Sequence, residues 1–228
     1  MTPTTSTATV PPPPETPARV LLTGFEPFGG DATNPSWAAA SDAAEILRAA
    51  GLHARAVQIP CVFAASAPAL QAALAEHCPD VVVCVGLAGG TAQVRLERVA
   101  VNLQDARIPD NAGDQPVDRP VAADGPAALF STLPVKRALT ALQAAGIPAQ
   151  LSLSAGSFVC NHLMYSVLHA PGSARAAGFV HVPWDLEHRA DASVPALPAA
   201  QLAQAVAVVA RESLDASPDA DRPGGALH

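Results

Sequence analysis

Positive charges and aromatic side chains are both scarce in this 228-residue chain. Phe, Trp and Tyr make up 4% of the residues, and 13 Lys and Arg face 20 Asp and Glu, which gives a formal net charge of −7. With no basic patch interleaved with aromatics, the chain lacks the electrostatic footprint of a nucleic-acid-binding protein. No apolar run approaches the ~20 residues that span a membrane. We therefore expect neither nucleic acid nor membrane as a partner.

Cysteine is also sparse, and its spacing argues against a disulfide framework or a metal site. The four cysteines, at positions 61, 78, 84 and 160, form no C-x-x-C pair. The Cys160-Asn-His162 run lacks the further ligands that a zinc site requires. No apolar segment of a secretion signal opens the chain, so we expect reduced thiols, a cytoplasmic protein, and no metal or cofactor.

The two ends of the chain differ in composition from its centre. Residues 1–17 combine Thr, Ser and four consecutive prolines, which cannot build a core and predict a disordered tail. Residues 217–228 are rich in Pro, Gly and Asp and predict a flexible C-terminal tail. Residues 18–216 are expected to form a single α/β domain that carries any catalytic site.

Apolar runs and helical patterns alternate through this domain. Runs at 19–23, 53–59, 80–86 and 178–183 predict strands, β-type alternation covers 93–103, and 3.6-residue periodicity predicts helices near 35–50, 63–77, 134–145 and 201–214. Strands that alternate with helices are typical of a mostly parallel sheet covered on both sides. The predicted fold is therefore a three-layer α/β/α sandwich.

Three loops should meet at one rim of that sheet. They are GFEPFGG at 24–30, GLAGG at 86–90 and SAGSFVC at 154–160, and each follows a predicted strand. His181 lies late in another strand. Ligands in such sheets bind beyond the carboxyl ends of the strands, so this convergence predicts an active site.

Cys160 is the candidate nucleophile because it lies where a strand has just become a helix. The unpaired N–H groups and the positive dipole end of a first helical turn favour an anion, which predicts a thiol that ionises easily. From position alone, a small buried core cysteine is the more common case. The convergence of the loops favours the catalytic interpretation.

A nucleophilic thiolate needs a base and a group that orients the base. His181 is the candidate base, because His162 is two residues from Cys160 on one helix and such positions do not face each other. Glu97 is the candidate acid, because it shares its strand face with Val99, Val101 and Leu103, and a carboxylate there is costly unless it is paired or hydrogen-bonded. A structural histidine and a solvated glutamate beside Arg95 or Arg98 are the alternatives.

Phe25, Phe28 and Phe158 are three of the six phenylalanines, and all lie in the rim loops. Loop phenylalanines often serve packing, but three on one rim suggest walls for a flat apolar substrate group. The glycine loops match neither the G-x-G-x-x-G dinucleotide motif nor a P-loop.

Six motifs together resemble the pyroglutamyl peptidase I family of cysteine peptidases, and they span residues 19–185 in the family's order. They are LLTGFEPFGG at 21–30, NPSW at 34–37, ERVAVN at 97–102, ARIPDN at 106–111, AGSFVCNH at 155–162 and GFVHVP at 178–183. The resemblance implies a phosphorylase-like α/β fold, a homotetramer without cofactor, and peptides with an N-terminal pyroglutamyl residue as substrates.

The resemblance also implies roles for particular residues. It places the catalytic triad on Glu97, Cys160 and His181, and an arginine near the reacting carbonyl on Arg107. The expected substrate-binding residues are Phe25, Phe28, Asn34, Leu87 and Phe158, although bacterial relatives commonly carry glutamine at the position of Leu87. The alternative function is a phosphorylase-like or non-catalytic small-molecule binder on the same fold.

Overall fold

The computed structural model describes residues 18–170, 172 and 174–224. The predicted disordered tail at 1–17 and the last four residues of the predicted C-terminal tail lie outside the described residues. Within the described part there are five helices: α1 (Pro35–Ala49), α2 (Phe63–His77), α3 (Val135–Ala144), α4 (Val159–His169) and α5 (Ala199–Leu214). None of them is long and apolar enough to cross a membrane.

Six strands form the central sheet, in the order β2-β1-β3-β8-β4-β7. They are β1 (Arg19–Phe25), β2 (His53–Ile59), β3 (Val81–Leu87), β4 (Val94–Glu97), β7 (Ala149–Ser152) and β8 (Ala176–Val182). Strands β2, β1, β3 and β8 run parallel, β4 is antiparallel to β8, and β7 is parallel to β4. Short pairs are formed by β5 (Val99–Val101) with β6 (Ala128–Phe130), and by β9 (Trp184–Asp185) with β10 (Ala196–Leu197).

Helices cover both faces of this sheet, as the strand alternation requires. In β3, Val81, Val83 and Val85 belong to a buried cluster with α1, α3 and α5. Val82 and Cys84 point the other way, into a cluster with α2 and α4. The predicted three-layer α/β/α sandwich with a mostly parallel sheet is thereby confirmed, and the helix that carries Cys160 lies on the second face.

The predicted β segment at 93–103 is two strands rather than one. The chain turns at Arg98, whose N–H donates to the carbonyl of Ser152 at 2.8 Å and whose carbonyl accepts from Ser131 at 2.9 Å. Glu97 therefore ends β4 in the large sheet, while Val99 begins β5 in a small one. The prediction that Glu97 and Val99 share a strand face is wrong, because each residue pairs with a different strand.

The segment after α5 has hydrogen-bond partners on α3. The Asp219 carboxylate accepts from the backbone N–H groups of Lys136 and Arg137 at 3.1 and 2.9 Å, at the start of that helix. The Arg137 guanidinium in turn donates to the carbonyls of Ser217 and Pro218. A carboxylate at a helix N-terminus is a favourable partner for its free N–H groups. The flexibility expected of residues 217–228 stays a prediction.

Candidate active site

The loop after β1 is tied to its neighbours by hydrogen bonds of polar side chains. The Glu26 carboxylate accepts from the N–H of Cys61 at 3.0 Å and from the side-chain amide of Asn111 at 2.9 Å. The side-chain amide of Asn34 donates to the Glu26 carbonyl at 2.9 Å. Its side-chain oxygen accepts from the backbone N–H and the hydroxyl of Ser36, so that Asn34 caps the N-terminus of α1. These bonds fix the wall of the rim on the α1 and α2 side.

Cys160 lies in the first turn of α4, as the sequence pattern predicts. Phe158, two residues before Cys160, is the N-cap of α4. Its side chain offers no acceptor to the free N–H groups of the first turn. The thiol rests against β3 at Gly86, where an added Cβ would come within 2.9 Å of Sγ and 2.7 Å of the Phe179 ring. Any larger residue at position 86 would push the thiol and the ring away.

His181 stands on the strand next to Gly86 and is oriented by Glu97. In the parallel β3–β8 register, Gly86 is the partner of His181. Imidazole Nδ1 lies 2.8 Å from Oε1 of Glu97, which is fully buried at the end of β4. A carboxylate only accepts, so Nδ1 carries the proton and Nε2 is left free to accept one. No hydrogen bond joins the Cys160 thiol to His181, although both belong to the described part of the chain.

The electrostatic setting of Cys160 differs from the expectation of an easily ionised thiol. Burial raises the pKa of this thiol above its ordinary value, and the neighbouring Cys61 and Glu97 add to the rise, while its own backbone N–H opposes it. Desolvation therefore outweighs the helix terminus. Loss of the thiol proton in the free protein therefore requires a nearby acceptor. Nε2 of His181 is the candidate, because His181 on β8 is the strand partner of Gly86, against which the thiol rests.

His162 has none of the features of a base. Burial lowers its pKa to about 4. Neither ring nitrogen has a hydrogen-bond partner among the described residues, and the ring packs edge-on against Phe63 at a centroid distance of 5.7 Å. It faces the contact between α2 and α4 rather than the rim, which agrees with the choice of His181 from the sequence.

A cavity of about 150 Å³ opens beside Cys160. All five residues expected to bind substrate line it, namely Phe25, Phe28, Asn34, Leu87 and Phe158. Phe28 and Phe158 pack with ring centroids 5.2 Å apart. A larger groove of about 880 Å³ lies between α2 and α4 but touches neither Cys160 nor His181, so size alone does not locate the reactive groups.

Comparison with known proteins places these features in a family. A profile of pyroglutamyl peptidases matches residues 18–215. The chain belongs to the pyroglutamyl peptidase family. It is 53% identical over 189 residues to a pyrrolidone-carboxylate peptidase of Streptomyces coelicolor, covering 81% of this chain and 87% of the relative. It is also similar to the crystal structure of pyroglutamyl peptidase I from Bacillus amyloliquefaciens, with a TM-score of 0.84, 39% identity, and coverage of 91% of this chain and 100% of the other.

Membership confirms the resemblance drawn from the six motifs and the enzyme class, a pyroglutamyl-peptidase I hydrolase. The structure of the pyrrolidone carboxyl peptidase from Thermococcus litoralis is similar at 33% identity, with a TM-score of 0.83 and coverage of 90% and 99% of the two chains. Residues 18–215, which the family profile matches, include every residue of the rim described above.

Arg107 and the loop that contains Leu87 have no established role in this member of the pyroglutamyl peptidase family. Arg107 is exposed and has no hydrogen bond or ion pair with any described residue, so its expected place near the reacting carbonyl stays a prediction. The backbone N–H of Ala88, beside Leu87, already donates to the Val182 carbonyl at 2.9 Å and is not free for a ligand. Any backbone contact in this loop must come from its other groups.

Sequence reasoning missed residues whose function depends on distant contacts. The buried Asn161 side chain accepts from the N–H of Val101 at 2.9 Å and donates to the carbonyls of Val101 and Leu103 at 2.9 and 3.0 Å, which joins α4 to the chain just after Glu97. Asp31, Thr33 and Cys61 also line the cavity. The position of Asn161 next to Cys160 is the only signal of these residues in the sequence.

Proposed function

We propose that this chain removes the N-terminal pyroglutamyl residue from peptides, with Cys160 as nucleophile, His181 as general acid and base, and Glu97 as the residue that orients His181. The observation that carries the proposal is the 2.8 Å contact between His181 and Glu97 on strands adjoining Cys160 and its cavity. A nucleophile, a base and an orienting acid in this order are the arrangement that acyl transfer requires.

Acylation begins when Nε2 of His181 takes the proton of the Cys160 thiol as Sγ attacks the pyroglutamyl carbonyl. Because burial raises the pKa of the thiol, its deprotonation needs a base, and His181 supplies one. The imidazolium that forms is stabilised by the buried carboxylate of Glu97, whose other oxygen has no partner among the described residues. Because the Glu97 carboxylate is already in position, no reorganisation energy is needed when the imidazolium forms.

The tetrahedral oxyanion is placed at the start of α4. The free N–H groups of its first turn and the positive end of the helix dipole are suitable donors, and Phe158 supplies no competing side-chain acceptor. The pyroglutamyl ring then occupies the cavity beside Cys160, where Phe28 and Phe158 pack against each other and present an apolar aromatic wall.

Collapse of the oxyanion breaks the amide bond, and imidazolium Nε2–H protonates the leaving amine. The product is a thioester between Cys160 and the pyroglutamyl group. His181, again neutral, removes a proton from water, which attacks the thioester and releases pyroglutamate and the thiol. Each proton moves through the same nitrogen, so one histidine serves both half-reactions.

Turnover of a pyroglutamyl-amide fluorogenic substrate, with and without prior alkylation by iodoacetamide, tests the proposal. We expect turnover that is lost in proportion to alkylation of Cys160, mapped by peptide mass spectrometry. Full activity after stoichiometric alkylation of Cys160 would refute the cysteine mechanism. Absence of turnover together with tight binding of phosphate or a nucleoside would favour a phosphorylase-like function.

A homotetramer, which rests on the family resemblance, and a cytoplasmic location, which rests on the sparse cysteines without a C-x-x-C pair, also belong to this proposal. Light scattering after size-exclusion chromatography tests the first. A molar mass of one 23.1 kDa chain would contradict it.

A further inference from the structure

The candidate groups follow one another across the central sheet in strand order. The aromatic cavity lies at the ends of β1 and β3, at Phe25 and Leu87. His181 is on the next strand, β8, and β4 comes after it. With the ring in the cavity and the leaving amine at His181, the departing peptide continues toward β4. Neighbouring strands are about 4.8 Å apart, close to the length of one residue.

Arg95 is the residue that the peptide meets there. In the antiparallel β4–β8 register it is directly opposite His181. Opposite residues of an antiparallel pair project from the same face, with Cα atoms about 5 Å apart. Two residues further along β4, Glu97 projects from that face as well, and its contact with Nδ1 of His181 agrees with this placement.

The Arg95 side chain is half-buried and lacks partners. Its Nε atom is buried without a hydrogen-bond partner, and no carboxylate of the described residues lies within ion-pair distance of its guanidinium. The acid on its own face, Glu97, has Oε1 engaged with His181 and makes no ion pair with Arg95. A guanidinium presents five donors in a fork that matches a carboxylate, so an unpaired one beside a reactive histidine is suited to bind an anion.

We propose that Arg95 recognises a carboxylate on the first residue of the leaving peptide. The proposal rests on the proposed function, because it uses His181 as the position of the leaving amine. The carboxylate is either the C-terminal α-carboxylate of a pyroglutamyl dipeptide or the side chain of an acidic residue. Arg95 thereby offsets the repulsion that a chain of net charge −7 exerts on acidic peptides.

Two matched substrate pairs test this assignment and separate the two sources of the carboxylate. Pyroglutamyl-alanine is compared with its C-terminal amide, and pyroglutamyl-glutamate amide with pyroglutamyl-glutamine amide. In the unmodified protein we expect kcat/KM to favour the carboxylate member of at least one pair by about tenfold or more, in line with the usual strength of a charge-assisted hydrogen bond. In Arg95→Gln this ratio should fall to about one, and in Arg95→Lys to an intermediate value.

Arg98→Gln is the matched control. Arg98 is three residues away and lines a separate cavity with Ser131 and Asp215, so this variant changes the net charge equally and should keep the native ratio. Turnover of the neutral substrates reports in the same assay that each variant is folded.

Four results would overturn the assignment. A native ratio near one, or an unchanged ratio in Arg95→Gln, would show that no carboxylate is bound there. An equal loss on charged and neutral substrates would assign Arg95 to the Glu97–His181 pair instead. Absence of turnover on all four substrates by the unmodified protein would overturn the proposed function as well, and this outcome is distinct from the first two.

Discussion

His181 Nδ1 and Glu97 Oε1 lie 2.8 Å apart across two antiparallel strands, although the residues are separated by 84 positions in the chain. The register explains the contact. Glu97 is opposite Phe179 and Arg95 is opposite His181, so the carboxylate reaches the imidazole diagonally. Because Glu97 is fully buried, it can hold a single ring orientation with little competition from water.

Cys160→Ser should reduce turnover to nearly zero and leave the fold intact. A serine hydroxyl has similar size, but it is much less acidic than a thiol. The same histidine therefore activates it poorly as a nucleophile. Turnover of the fluorogenic amide and the thermal unfolding midpoint are the measurements. Cys78→Ser, at an exposed cysteine that lines no part of the small cavity, is the control and should keep full activity. Native-like turnover by Cys160→Ser would refute its role as nucleophile.

His181→Ala should lower kcat by about 10²–10⁴-fold, which is typical for removal of a general acid and base. His162→Ala should lower kcat much less, because neither nitrogen of that ring faces the rim. Both variants remove one imidazole, so each controls for the other. If the loss were larger for His162, the assignment of the base would be wrong.

Glu97→Gln should lower kcat by several orders of magnitude, with KM little changed. The amide preserves shape, but it cannot stabilise an imidazolium, and its NH₂ group can turn the ring to the wrong tautomer. Single-turnover kinetics should show the loss in the acylation step. A variant with native kcat would restrict Glu97 to a structural role.

His162 should make the protein less stable in acid. In the unfolded chain this histidine binds a proton below its ordinary pKa of 6.5, whereas the folded state, with a pKa of about 4, does not. Its contribution is therefore fully present above pH 6.5 and is lost as the pH falls toward 4. The loss is about 3 kcal/mol.

His162→Phe removes this titration and keeps a ring against Phe63. The free energy of unfolding, measured with urea at about pH 7.5 and about pH 4.5, should fall less with pH in the variant than in the unmodified protein. Other groups titrate in both proteins and cancel in the comparison. Equal pH sensitivity of the two would show that His162 is protonated in the folded state or exposed in acid.

Pyroglutamyl amides should be preferred over prolyl amides by ~10⁴ or more in kcat/KM. Both five-membered rings suit the cavity that Phe28 and Phe158 line, but prolyl substrates lack the lactam carbonyl and bring a charged amine. Leu87→Gln should lower KM for the pyroglutamyl substrate by adding a polar side chain to the cavity. Comparable kcat/KM for the two substrates would mean that the ring is held by shape alone.

Asp31 is the control for this preference, because its exposed carboxylate also lines the cavity and could pair with a prolyl amine. Asp31→Asn should leave the pyroglutamyl rate unchanged and should lower any residual prolyl rate. A rise in prolyl turnover would contradict the account.

The sequence by itself determined the elements of the fold and the rim where the candidate residues gather. Strand β2 at His53–Ile59 and helix α2 at Phe63–His77 agree with the predicted segments residue for residue, because alternation and helical periodicity are local properties of the chain. The six motifs likewise sufficed to identify the family, since they depend only on the order of residues.

Only the tertiary structure decided the partners of Glu97 and the electrostatic state of Cys160. The break at Arg98, the antiparallel course of β4 and the Arg95–His181 pairing depend on β8, which is far away in sequence. The helix terminus alone suggested an easily ionised thiol, whereas burial by surrounding elements raises its pKa. Periodicity is encoded by neighbouring residues, but pairing and desolvation depend on which distant segments pack together, and no local pattern specifies that.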